Sequence, residues 1–269
     1  MKDQTMITAL KGMLIGGTML VPGVSGGTMA MLLGIYSRLI SAVSSFRKDK
    51  KGNLLFLLVF ALGGILGMLI FARPILFLIE KFPMPMLYFF LGAVAGGIPL
   101  IFKEAKLQSI TLGAVGYVVL GALIMGVFAL IPGESLAVPE GGGALRLLLL
   151  VAAGFLAAIA LVLPGLSVSY FLLLLGLYDA TMEAIAGFQL SFLIPMGIGI
   201  ILGIILTTKT LERAMEAHPK PTYLIILGFV LASAAEIFPG IPSLGMLPIC
   251  LVTVVLGFFG VYFLAKITS

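Results

Sequence analysis

The sequence is poor in the residues on which most catalytic and metal sites depend. It contains one cysteine, Cys250, one histidine, His218, and no tryptophan. A lone cysteine cannot form an internal disulfide or a cysteine-based metal centre. A lone histidine excludes histidine-rich metal sites and most histidine-based catalysis. We therefore expect a protein without catalytic residues, without a metal and without a cofactor.

Charged residues are scarce as well. They make up 10% of the 269 residues, whereas hydrophobic residues make up 61%. Soluble domains are about 25% charged and about 45–50% apolar, so this chain has more apolar surface than its own core can bury. The composition excludes a soluble enzyme, a nucleic-acid-binding protein and a disordered chain. The net charge of +5 is then typical of the cytoplasmic loops of a membrane protein.

The chain instead contains long apolar stretches separated by short polar breaks. Most are close to the ~20 residues with which a helix crosses a ~30 Å hydrocarbon core. Backbone groups in lipid must be satisfied within the segment, so the sequence predicts an all-α polytopic membrane protein. Small residues four apart, within 63–67 and 199–203, predict closely packed helix faces. The ten stretches are 5–21, 28–46, 54–71, 84–102, 111–131, 145–163, 168–188, 190–207, 222–238 and 247–264.

An internal repeat divides this single membrane domain into two halves. The sequence PGVS at 22–25 recurs as PGLS at 164–167, and LGIY at 33–36 recurs at the same offset as LGLY at 175–178. A second block repeats in the same order, with PMP at 83–85 and PKP at 219–221. Two blocks in one order indicate a duplication. We define repeat 1 as 1–131, the linker as 132–144 and repeat 2 as 145–269.

Each repeat holds five apolar segments, and an odd number predicts that the two repeats cross the membrane in opposite orientations. The first two segments of each repeat either both cross fully or form a broken, re-entrant hairpin at the Pro-Gly-x-Ser motif. Either alternative leaves the parity odd.

The distribution of basic residues predicts the orientation. Twelve lysines and arginines fall on the side of the N-terminus and three on the other, with Arg38 left out because it lies inside a segment. This bias predicts cytoplasmic N- and C-termini and an extracytoplasmic linker. The twelve are Lys2, Lys11, Arg47, Lys48, Lys50, Lys51, Lys103, Lys106, Lys209, Arg213, Lys220 and Lys266, and the three are Arg73, Lys81 and Arg146.

The two Pro-Gly motifs are the strongest candidates for a binding site. Proline ends the preceding helix and glycine permits a turn, so each motif predicts a break followed by a new helix, capped by Ser25 or Ser167. Inverted repeats bring such breaks together near the midplane, where helix N-termini favour an anion. The alternative is that both breaks are ordinary kinks or loops. The candidate binding residues are Gly23, Ser25, Gly26, Gly27, Thr28, Gly165, Ser167, Ser169 and Tyr170.

Each of four charged residues has two possible roles. Arg38 lies ten residues after Thr28, ~15 Å along a helix, and either pairs with a bound phosphate or extends to the cytoplasmic headgroups. Asp179, Glu183 and Glu236 are candidates for carrying a coupling proton. The alternative for Asp179 and Glu183 is a solvated helix end, and for Glu236 a position at the outer interface.

These motifs resemble the bacterial and archaeal polyprenyl-phosphate transporter family. The resemblance rests on VPGVSGGT at 21–28, LGIY at 33–36 and LPGLS at 163–167, and it spans nearly the whole chain. The second motif departs from the first, with VSY at 168–170 in place of GGT. The resemblance implies a protein of the cytoplasmic membrane whose partners are membrane lipid and polyprenyl phosphate. It implies the return of undecaprenyl phosphate from the outer to the inner leaflet, for reuse as the carrier of peptidoglycan and other envelope polymers.

Three other functions are alternatives to transport of a lipid phosphate. A transporter or channel for a small soluble anion would use the same helix ends. A side entrance open to lipid favours the lipid phosphate, and a closed aqueous vestibule favours the small anion. A membrane enzyme such as a lipid phosphatase needs a nucleophile with a base or a metal cluster. The sequence near the motifs contains neither combination of residues. A scaffold or insertase leaves the paired breaks unexplained.

Overall fold

The computed structural model describes residues 2–19, 25–130 and 143–268, and all regular structure in these ranges is helical. The prediction of an all-α protein is confirmed. A short 3₁₀ helix covers Phe46–Lys48. The α-helices of the first half are α1 Lys2–Thr18, α2 Gly26–Leu32, α3 Tyr36–Ser44, α4 Lys50–Lys81, α5 Pro83–Glu104 and α6 Leu112–Ala129. Those of the second half are α7 Ala144–Val162, α8 Val168–Leu174, α9 Tyr178–Ala186, α10 Leu190–Ala217, α11 Pro219–Glu236 and α12 Leu247–Thr268.

The apolar stretches 28–46 and 168–188 are not single helices, so that part of the prediction is wrong. Each is broken into a helix of seven residues and one of nine, and the axes of α2 and α3 differ by 115°. The break centres on Gly34 and Gly176, whose φ angles of +66° and +63° lie in the left-handed region. At 1.5 Å per residue these helices are about 10 and 14 Å long, so none of them crosses a ~30 Å hydrocarbon core alone.

Five of the described helices are long and apolar enough to cross a membrane, and the bent pair α2–α3 would make a sixth. The five are α4, α5, α7, α10 and α12. Large apolar side chains cover their outer surfaces; Leu69, for example, is 72% exposed and Ile201 is 60% exposed. Such surfaces are stable in lipid and not in water, and they support a multi-pass membrane protein.

Close glycine packing joins the helices in pairs. Gly63 of α4 lies against the backbone of Ala9 in α1, and Gly67 lies against Met13. The numbers rise together on both helices, so α1 and α4 are parallel. In the second half, Gly199 and Gly203 of α10 lie in the same way against α7, at Val151 and Phe155. The predicted small-residue faces are confirmed at both places.

The helices that follow the first motif form the centre of the molecule. Leu32 and Leu33 at the end of α2 are 0% and 1% exposed, and they belong to one apolar cluster with Ile101 of α5 and with Leu224 and Val230 of α11. Five of the seven residues of α2 are buried. This packing holds the start of α2 inside the protein, next to the end of α7.

Candidate functional site

The two interrupted regions meet in the protein interior. The backbone N–H of Gly165 donates a buried hydrogen bond of 2.9 Å to the hydroxyl oxygen of Thr28, 137 residues away in the sequence. A Cβ atom on Gly27 would lie 3.3 Å from the Cα of Pro164. We call this region, formed by residues 25–28 and 164–167, the motif crossing.

The start of α2 differs from its prediction in one respect. Ser25 holds the N-cap position with an extended backbone, φ −80° and ψ 136°, but its side chain makes no capping hydrogen bond. The predicted side-chain cap is therefore wrong for Ser25. Ser167 directly precedes α8 and is exposed.

The glycines of the motif crossing are in contact with protein. A Cβ on Gly26 would lie 2.9 Å from the sulfur of Met19, and one on Gly165 would lie 2.6 Å from the carbonyl oxygen of Phe229. Gly165 also has a φ of +88°, which strains any other residue. Gly165 therefore allows close approach to the backbone of α11, and Gly26 leaves room for the side chain of Met19.

Three further candidate binding residues lie wholly or partly outside the part of the chain that the structure describes. Gly23 lies outside the described residues, and so does most of the linker predicted at 132–144. Ser169 and Tyr170 lie in the first turn of α8, but their side chains are outside the description.

A small cavity adjoins the motif crossing. Its volume is about 10 Å³, and its lining includes the hydroxyl-bearing residues Thr28 and Ser233 together with Phe90 and Val94. That volume is about the minimum that holds one water molecule. A phosphate group is larger, so it does not fit into this cavity as the structure has it.

A second link between the halves, which sequence reasoning missed, adjoins the crossing. The buried hydroxyl of Tyr36 donates a 2.7 Å hydrogen bond to the carbonyl oxygen of Val162, in the last turn of α7. The next residue, Ser37, shares a 2.9 Å hydrogen bond with the hydroxyl of Tyr223. Recurrence of the tyrosine in LGIY and LGLY was the signal in the sequence, but one sequence cannot identify its partner.

Arg38 faces the start of α4. Its Nη1 donates a 2.8 Å hydrogen bond to the Oδ1 of Asn53, and its guanidinium lies 4.7 Å from the centroid of the Phe56 ring. The prediction of one continuous helix from Thr28 to Arg38 is wrong, because the turn between α2 and α3 redirects the chain. The structure does not bring Arg38 into the motif crossing, and its pairing with a phosphate and its extension to the headgroups both stay predictions.

The three candidates for a coupling proton, Asp179, Glu183 and Glu236, are all exposed. A different carboxylate joins the two halves. Glu212 of α10 accepts hydrogen bonds from the hydroxyls of Ser44 and Ser45, at the end of α3. We call this group the Glu212 clasp. The sequence between Lys209 and Lys220 predicts a charged loop. In the structure, helix α10 continues through this region to Ala217.

A lateral groove of about 330 Å³ runs between α7 and α10. It reaches Leu163, the residue before Pro164, and it is open to the outer surface, where Leu206 is 53% exposed. Its wall is apolar except for two threonine residues. The residues that line it are Phe155, Ile159, Leu163, Leu206, Thr207, Thr210, Leu211 and Ala214.

Comparison with known proteins identifies the family to which this chain belongs. A family model described as undecaprenyl phosphate translocase-like matches residues 15–245, which include both motifs. The chain belongs to the undecaprenyl phosphate translocase-like family. The resemblance predicted from the motifs is thereby confirmed, and the family is one of transporters.

Two curated relatives of this translocase-like chain bear the name polyprenyl-phosphate transporter. The protein of Staphylococcus aureus (strain NCTC 8325 / PS 47) is 32% identical over 98% of this chain and 97% of its own length. The protein of Vibrio cholerae serotype O1 (strain ATCC 39315 / El Tor Inaba N16961) is 28% identical over 86% of this chain and 77% of its own length. No solved structure matches this chain.

Proposed function

We propose that this protein transports undecaprenyl phosphate or a related polyprenyl phosphate from the outer to the inner leaflet of the cytoplasmic membrane. There the lipid is reused as the carrier of envelope polymers. Family membership and the two relatives support the substrate. The structural observation that carries the proposal is the hydrogen bond between Thr28 and Gly165, which joins the two Pro-Gly motifs in the interior.

The proposal includes an inverted repeat with both termini in the cytoplasm. Gly92 lies against Val254 and Gly96 against Phe258, so α5 and α12 run in the same direction. The counterpart of α12 in the first half is α6, which follows α5. A chain that crosses the bilayer in α5 returns in α6, so α6 and α12 run in opposite directions. This supports opposite orientations for the two halves, which is the architecture that brings half-helices together near the midplane.

In this proposal the motif crossing binds the phosphate. Moving a charged headgroup through hydrocarbon is the expensive part of lipid transfer, and the hydroxyls and backbone N–H groups of the crossing replace water around it. The binding residues are those expected from the sequence, Gly23, Ser25, Gly26, Gly27, Thr28, Gly165, Ser167, Ser169 and Tyr170, with Arg38 near the cytoplasmic end of the path. Because the cavity beside the crossing is too small for a phosphate, the substrate in this proposal enters when the two halves separate.

The lateral groove favours a lipid phosphate over a small soluble anion. A soluble anion needs an aqueous vestibule, whereas a lipid needs a side entrance through which its tail stays in apolar surroundings. The groove opens between α7 and α10, and its lining ends at Leu163, the residue before the motif crossing. We propose that the first isoprene units of the tail lie in this groove.

Transport in proteoliposomes tests the proposal. We expect the protein to accelerate movement of fluorescent polyprenyl phosphate between leaflets, without releasing trapped inorganic phosphate. Changing Ser25→Ala together with Ser167→Ala should slow movement at least several-fold, whereas Ser191→Ala, at the exposed start of α10, should leave it unchanged. Release of inorganic phosphate without lipid movement would establish the small-anion alternative.

A further inference from the structure

Lys11 is a buried lysine in the middle of α1. Its side chain is only 5% exposed, and it lies nine residues after the start of the helix, about 14 Å along its axis. The sequence analysis places Lys11 on the cytoplasmic side, and the structure adds that its side chain is buried. A lysine in a loop would be solvated, whereas this one is enclosed by protein.

The side chain of Lys11 points away from the helix that packs on α1. The contact with α4 is formed by Ala9, Gly12, Met13, Gly16 and Gly17. At 100° per residue Lys11 lies about 100–160° from each of them. Ile15, four residues further on the same face, is 3% exposed and belongs to the central apolar cluster with Met29 of α2. Lys11 therefore faces the centre of the protein, on the same side as the start of the motif crossing.

No acidic partner neutralises this charge among the described residues. Lys11 makes no hydrogen bond, ion pair or ring contact with any of them. The described residues also contain no fully enclosed side-chain nitrogen that lacks a hydrogen-bond partner. The ammonium nitrogen of Lys11 is therefore not fully enclosed, although the residue as a whole is only 5% exposed. An ammonium taken out of water is costly unless an anion or a set of acceptors compensates it.

We propose that Lys11 binds the phosphate of the transported lipid on the cytoplasmic side of the motif crossing. This inference rests on the proposed function. The substrate is an anion, the transport path must continue from the crossing to the cytoplasmic face, and α1 is the helix that leads from that face to the first motif. Lys11 offers the phosphate a charge-assisted contact about 10 Å before the end of α1 at Thr18.

The test is the substitution Lys11→Met, which keeps an unbranched side chain, shorter by one atom, and removes its charge. Replacing a buried ion by an apolar group of similar volume is often neutral or stabilising. We therefore expect the unfolding temperature to stay the same or rise while lipid transport falls at least ten-fold. Lys11→Arg should restore part of the transport. Lys51→Met, which removes an exposed lysine at the start of α4, is the matched control and should transport normally.

A binding measurement separates recognition of the phosphate from a structural role. Geranylgeranyl phosphate should raise the unfolding temperature of the wild-type protein, and geranylgeraniol and inorganic phosphate should raise it less. In Lys11→Met the advantage of the lipid phosphate over the alcohol should disappear. Wild-type rates and an intact phosphate-dependent shift in Lys11→Met would overturn the assignment of Lys11 alone. Absence of transport by the wild-type protein would instead overturn the proposed function.

Discussion

Gly34 and Gly176, 142 residues apart, hold the same backbone conformation. Their φ angles are +66° and +63°, and the hydrogen bonds around them correspond one to one. The N–H of Ile35 bonds to the carbonyl of Ala30, and that of Leu177 bonds to the carbonyl of Leu172. The duplicated motif LGxY is therefore a turn that ends one short helix and starts the next in both halves.

Replacing either glycine by alanine should destabilise the protein. A left-handed conformation costs a residue with a Cβ atom about 1–2 kcal/mol, and at Gly34 the new methyl group would also lie 3.0 Å from Leu100. We expect Gly34→Ala and Gly176→Ala to lower the free energy of unfolding by at least about 1 kcal/mol each. Unfolding in detergent, followed by circular dichroism, measures this.

The matched control for these variants is Gly197→Ala. Gly197 lies inside α10, and a Cβ there would meet nothing within 4 Å. Because alanine favours a helix over glycine, this variant should be as stable as the wild type or more stable. If all three substitutions had the same effect, the special role of the two turns would be rejected.

The hydrogen bond at the motif crossing makes a second prediction. Thr28→Val keeps the shape of the side chain but removes the acceptor, which leaves the buried N–H of Gly165 without its partner. Such a loss costs about 1–3 kcal/mol, so Thr28→Val should be less stable by that amount and should transport more slowly. Thr28→Ser keeps the hydroxyl and should be closer to wild type in both measurements. The opposite order of the two variants would show that the methyl group, and not the hydroxyl, matters at this position.

The inverted orientation of the halves is testable by chemical labelling. The connection after α5 and the connection after α11 are equivalent in the two repeats, and each carries an exposed serine, Ser109 and Ser243. In a Cys250→Ala background, a membrane-impermeant thiol reagent added to intact cells should label Ser243→Cys and not Ser109→Cys. Permeabilised cells should show labelling of both. Equal labelling of the two sites in intact cells would contradict the inverted repeat.

The sequence was sufficient to predict the class of fold. The apolar composition and the length of the segments are set by the lipid around the protein, and not by tertiary contacts. It also predicted which glycines permit close helix packing, since residues four apart share a face. It did not reveal the break inside 28–46. That stretch is mainly apolar, and its one glycine is compatible with a helix until the surrounding contacts select the left-handed conformation.

The contacts between the halves could not be predicted from one sequence. Repetition indicated that the two Pro-Gly motifs correspond, but the partner of Tyr36 is a backbone carbonyl, which no side chain in the sequence identifies. The burial of Lys11 was missed for a related reason. A lysine close to the N-terminus looks the same in the sequence whether it is solvated or enclosed, and its exposure is set by helices that come much later in the chain.

The Glu212 clasp makes the last prediction, because it connects α3 of the first half with α10 of the second. Its carboxylate accepts hydrogen bonds from Ser44 and Ser45, and hydrogen bonds to a charged group contribute about 1.5–3 kcal/mol when buried and less when partly exposed. If the halves separate during transport, the clasp must break in each cycle. We expect Glu212→Gln to lower the free energy of unfolding by roughly 1 kcal/mol and to change the transport rate. A double-mutant cycle with Ser44→Ala measures the coupling, and additive effects of the two substitutions would show that the contact does not stabilise the closed protein.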